Sequence, residues 1–162
     1  MNINEYTIER DGIAWSECLR DWTWLLPAEF TVWMVNRFCD LFVILPDGSL
    51  HMLDVGGGSI TRVADNHDEF AAKLDIHANE WLMIPLVDKL VATGITLEAG
   101  QCYGFKMSPV LGGEYAIENC AAISVPDYLS CWGSLHRQMK DVPNGDQVVI
   151  EIVDSLPERE RP

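Results

Sequence analysis

The hydrophobic and polar positions first settle into a clear pattern at LFVILPDGSLHMLDV. Leu41–Leu45 is an apolar run rich in strand formers, Leu50–Val55 alternates more, and Pro46-Asp47-Gly48 lies between them. Proline suits the first corner of a type I turn and glycine the left-handed position that follows, so the pattern predicts a hairpin. Gly56-Gly57-Gly58 turns the chain again into Ser59–Ala64, and Thr31–Asn36 has the β-branched and aromatic content of a further strand. The result is a β-meander over about residues 31–64.

The period then changes. Asn66, with Glu69 three residues on, has the form of a capping box, and Phe70 and Leu74 fall on one helical face. A second helix is predicted from near Pro85 to Gly94. Gln101–Met107 and Glu114–Asn119 read as two more strands bridged by Ser108–Gly113. Pro126 opens a last helix whose apolar stripe is Tyr128, Trp132, Leu135 and Met139. Pro143-Asn144-Gly145-Asp146 turns into Val148–Val153, a short closing strand, and SLPERERP is expected to be disordered. Before the meander, Trp15, Leu19 and Trp22 have helical spacing that ends by Pro27. The expected fold class is α+β: one domain over 1–154 with a tail at 155–162, a mainly antiparallel sheet, and helices covering one face. The six tryptophans are expected mostly in the core.

Composition narrows the chemistry. No apolar run approaches the roughly 18 residues a membrane span needs. The start, MNINEYTIERDG, has neither the basic region nor the apolar core of a signal peptide, so a cytoplasmic location is expected. The chain carries 25 acidic and 11 basic residues, net −14, with 13 acids and 5 bases in 1–75 and 12 and 6 in 76–162. Acidity spread in this way argues against nucleic acid, whose phosphates need a basic stripe. It serves solubility and attracts a basic protein partner.

Candidate catalytic and metal chemistry falls away on spacing. Cys18, Cys39, Cys102, Cys120 and Cys131 are odd in number and lack C-x-x-C spacing, which argues against a disulfide framework and a zinc site. No two of His51, His67, His77 and His136 lie at i, i+4 on one helix. His51 and Asp54 point to opposite faces of their strand. A Cys102 or Cys131 nucleophile with His136 as its base lacks an activating context, because both cysteines have apolar flanks. The glycine runs do not fit a phosphate cradle: Glu114 and a strand follow Gly112-Gly113, and a strand follows Gly56-Gly57-Gly58. No metal, cofactor or catalytic residue is expected.

CYGFKMSPVLGGEYAIEN, Cys102–Asn119, concentrates the unusual residues. Along it Tyr103 and Phe105 face one way and Gly104 and Lys106 the other, and Gly104 lets another element pack close. Lys106 is positioned to pair with Glu114 or Glu118, or to reach water along its stem. The stretch resembles the YGFK-x-x-P-x-L-G-G-x-Y-x-x-E-N segment of a bacterial family, the C-terminal domain of immunity proteins against type VI secretion DNase toxins. DLFVILPDGSLHMLDVGGGSITRVADNHDEF, EWLMIPLVDKLVATGITLEAGQCYGF and LHRQMKDVPNGDQV fit the same family, so the resemblance runs from about Trp15 to Val149. A looser similarity is to SMI1/KNR4-like immunity proteins.

The resemblance implies a non-enzymatic protein that binds and neutralises a cognate secreted toxin, a nuclease, in the cytoplasm; the alternative is a stand-alone scaffold or regulatory module without a toxin. From charge and hydropathy, neither nucleic acid nor a membrane is expected as a partner. The residues on its motif are Tyr103, Gly104, Lys106, Gly112, Gly113, Glu114, Tyr115, Asn119, His136, Gln138 and Lys140, expected to hold the fold. Candidate partner contacts are the acidic loop positions Asp40, Asp47, Asp65 and Asp68.

Overall fold

Thr31–Val35 (β1), Leu41–Ile44 (β2), Leu50–Asp54 (β3) and Ser59–Ala64 (β4) form a four-stranded antiparallel sheet in sequence order. The computed structural model describes residues 2–143 and 145–146. The hairpin turn is where the apolar pattern places it. Gly48 has φ 86°, its amide donates to the Leu45 carbonyl at 2.9 Å, and Asp47 Oδ1 accepts from the Ser49 amide at 3.0 Å. In register, Phe42 faces Met52 and Val43 faces His51 across β2 and β3.

Short helical turns precede the sheet. Trp15–Cys18 (α1) runs into a 3-10 turn at Arg20–Trp22, so the expected N-terminal helix is broken at Leu19. His67–Trp81 (α2) begins at the Asn66 cap, whose side chain accepts from the Glu69 amide at 2.9 Å. Glu69 returns the bond one residue earlier than a capping box requires, to the Asp65 amide at 2.5 Å. Met83 (φ 51°) makes the corner into Ile84–Ala92 (α3), with Pro85 in its first turn, and Gly94 (φ 88°) ends it.

Gln101–Phe105 (β5) pairs antiparallel with Cys120–Ser124 (β6) as a separate two-stranded sheet. The sequence places the partner strand at Glu114–Asn119, and the structure corrects this. That stretch is a loop ending in a 3-10 turn at Ile117–Asn119, and the strand begins at Cys120. Ala121 and Ala122 are weak strand formers, so the pairing rests on tertiary packing more than on propensity. Val125–Met139 (α4) follows at once, capped by Ser124. The proposed closing strand Val148–Val153 and the tail lie outside the described residues.

The meander has an apolar cluster on each face. Met34, Phe42, Leu50, Phe70 and Trp81 join one, to which α2 contributes. Val35, Leu41, Val43, Leu53, Val87, Leu90, Tyr103, Leu129 and Trp132 join the other, built with α3, α4 and β5. Three successive β2 residues are therefore buried, and the helices divide between two clusters instead of sharing one face. Trp22, Trp81 and Trp132 are buried, whereas Trp33 is exposed.

Candidate functional site

The loop from Lys106 to Asn119 leaves β5 and returns to β6, and it is held open by its own polar groups. The Asn119 side-chain Nδ2 donates to the Met107 and Glu114 carbonyls, both at 2.9 Å, while its Oδ1 accepts from the Met107 amide at 2.9 Å. These bonds take the place of a strand ladder, which is why a strand-like pattern here becomes a pinned loop. Ser108 adds to it: its carbonyl accepts from the Leu111 and Gly113 amides, both at 2.9 Å. Gly112 has φ 95°, and a Cβ on Gly113 would collide with the Met107 carbonyl.

The β5 motif residues anchor this loop to the core. The Tyr103 hydroxyl donates to the Ile95 carbonyl at 2.6 Å, and its amide donates to the Arg37 carbonyl at 2.7 Å. A Cβ on Gly104 would sit 2.7 Å from the Tyr128 ring and 2.8 Å from Ile123, so α4 crosses β5 at glycine. Tyr115 rests edge-on against Phe105 at 5.1 Å. Lys106 is exposed and has no carboxylate within ion-pair distance among the described residues, so it reaches water.

A second constellation is buried. Asn36 and Asp40, 0% and 4% exposed, flank the β1–β2 turn. Asn36 Oδ1 accepts from the Phe38 and Asp40 amides, and its Nδ2 donates to Asp40 Oδ2 and to the Trp81 carbonyl at the end of α2. Asp40 Oδ1 accepts from the Val55 amide at 2.9 Å. His136 Nε2 lies 2.9 Å from the Val55 carbonyl, and a Cβ on Gly58 (φ 70°) would meet its ring at 2.6 Å. Two side chains and one histidine thus tie the β1–β2 turn, the β3–β4 turn, α2 and α4 together. Burial, then the nearby Asp54 carboxylate, pushes Asp40 up to about 7, while burial lowers His136.

Asp40 is therefore enclosed in the fold, apart from the exposed candidates. The structure brings Asp47 and Asp65 together instead: Arg62 lies 2.8 Å from Asp65 and 4.0 Å from Asp47. Asp68 is exposed in the first turn of α2. Gln138 bonds within α4, to Ser134, and Lys140 donates to Asp141. Sequence reasoning missed Asn36, which it ended a strand on; its spacing to Asp40 around a left-handed Cys39 (φ 66°) is the available signal. It also missed the loop's exposed apolar side chains.

Four of the five cysteines are buried, and burial raises the Cys18, Cys39 and Cys120 thiols. Such thiols are poor nucleophiles. Among the described residues no group of three His, Cys, Asp or Glu could hold a metal, and no helix is long and apolar enough to cross a membrane.

Residues 64–136 match the family model described as T6SS immunity protein Tdi1, C-terminal. The match begins at the last residue of β4, so β1–β3 lie outside it, as do Gln138 and Lys140. The motif positions from Tyr103 through His136 lie inside. No curated protein matches the chain.

Proposed function

We propose, on the premise that residues 64–136 belong to the C-terminal domain family of the type VI secretion immunity protein Tdi1, that the chain binds and neutralises a cognate secreted toxin, a nuclease, in the cytoplasm. The family implies an immunity protein and a non-enzymatic inhibitor. The family match is the observation that carries this reading. Net charge −14 supports the choice of a nuclease, whose cleft must be basic enough to hold phosphates.

The test is co-expression with the product of the adjacent reading frame. Cells that lose viability when the toxin alone is induced should recover when this chain is present, and the two proteins should co-elute as a complex. Protection without a complex, or no protection at all, would overturn direct neutralisation and favour a scaffold role.

A further inference from the structure

Among the described residues, the loop that carries the motif also carries the densest group of exposed large apolar side chains. Met107, Val110 and Tyr115 are 54%, 53% and 57% exposed, and all three lie between β5 and β6. A mobile loop could fold such residues away; this one is fixed by Asn119, Ser108 and the close approach at Gly113. Preorganisation of this kind lowers the ordering cost of binding. Exposed methionine and tyrosine on a rigid support, with acidic residues beside them, have the composition of an interface anchor with a polar rim.

The other exposed large apolar side chains among the described residues, Trp33, Ile76, Val91 and Val142, are less suited, since no two of them share an element. Ile76, 78% exposed, stands singly on α2. Trp33 lies in a groove of about 810 Å³ lined by Arg10 and Arg37 against a single acid, Glu9, a balance that does not attract a basic partner. The loop instead carries Glu114 and Glu118 against one base, Lys106, a net acidic balance, and Phe105, on which Tyr115 rests, packs against Gly56 next to the Asp54 turn.

We propose that Met107, Val110 and Tyr115 form the apolar anchor of the partner-binding surface, and that the occupant is a basic protein surface with an apolar hollow. The motif residues Gly104, Gly113 and Asn119 shape this surface without touching the partner. The proposal rests on the immunity reading and adds the place of contact. That place adjoins the β3–β4 turn, at the end of the meander opposite Asp47 and Asp65, which flank the β2–β3 turn and the end of β4.

The experiment measures binding of the product of the adjacent reading frame, with its catalytic residues silenced, to four forms of this chain. They are the wild type, the triple variant Met107→Ser, Val110→Ser, Tyr115→Ser, the conservative Tyr115→Phe, and the opposite-end variant Asp47→Lys, Asp65→Lys. The triple variant should weaken Kd at least about 100-fold, with its melting temperature within a few degrees of wild type. Tyr115→Phe should stay within about threefold. Equal binding by wild type and triple variant sinks the anchor while leaving the immunity reading intact. Loss confined to the opposite-end variant likewise overturns it. No binding by the wild type removes the immunity reading, and the anchor with it.

Discussion

At the scale of single residues, Asp40 and His136 give the fold a pH dependence of opposing signs. Asp40 has a folded pKa of about 7, above its unfolded value, so between pH 4 and 7 the folded chain holds a proton that the unfolded chain releases. Its contribution is fully present below about pH 4 and is lost as pH rises to 7, by up to roughly 4 kcal/mol. His136 is depressed below its ordinary value, so its contribution is present above about pH 6.5 and is lost as pH falls. Asp40→Asn should remove the first slope, leaving stability that only rises with pH. Denaturant titrations at pH 4.5, 6 and 8 measure this. If the variant keeps the wild-type slope between pH 4.5 and 6, Asp40 does not titrate in the fold. The variant is also expected to be less stable overall, because its amide would face the Asn36 amide that donates to Asp40 now.

At the scale of elements, two glycines separate conformational strain from steric exclusion. Gly48 needs a positive φ but has open space around it, so Gly48→Ala should cost about 1 kcal/mol. Gly104 needs no unusual φ, yet its Cβ would overlap Tyr128 on α4, so Gly104→Ala should cost roughly 2–3 kcal/mol. Equal costs in thermal denaturation would mean that α4 does not press on β5. Local signals of this kind made the meander, the Asn66 cap and α4 legible in the sequence, because turn residues and periodicity act within a few positions. The second sheet was legible only in part. Its strand β6 is weak by composition, and the stretch that looked like a strand is held by one asparagine making three loop bonds. The buried polar junction depends on residues as far apart as Asn36, Val55 and His136, so no local pattern could announce it. The two-sided burial of β2 went unread: helices were expected on one face, although the unbroken run LFVI, which an open-faced sheet would interrupt with polar residues, carries the signal.

At the scale of the whole molecule, long-range attraction and contact have separate sources. The charge of −14 is distributed over both halves, while the proposed apolar anchor occupies one loop. Charges of this kind act mainly on the rate of encounter, and buried anchors act on the rate of escape. Raising salt from about 0.05 to 0.5 M shortens the Debye length from over ~10 Å to under ~5 Å. Association with a basic toxin should slow markedly over that range, and dissociation should change much less. Reversing Asp47, Asp65 and Asp68 to lysine should lower the association rate and flatten its salt dependence, even though Asp47 and Asp65 lie away from the anchor. Each reversal shifts the net charge by +2 whether or not Arg62 lies beside the aspartate, so the three positions should contribute comparably to the change. Stopped-flow measurement of both rates decides the matter. A salt-independent association rate would reduce the acidity to a solubility device, and a dissociation rate that rises steeply with salt would place charge, not the apolar loop, at the centre of the interface.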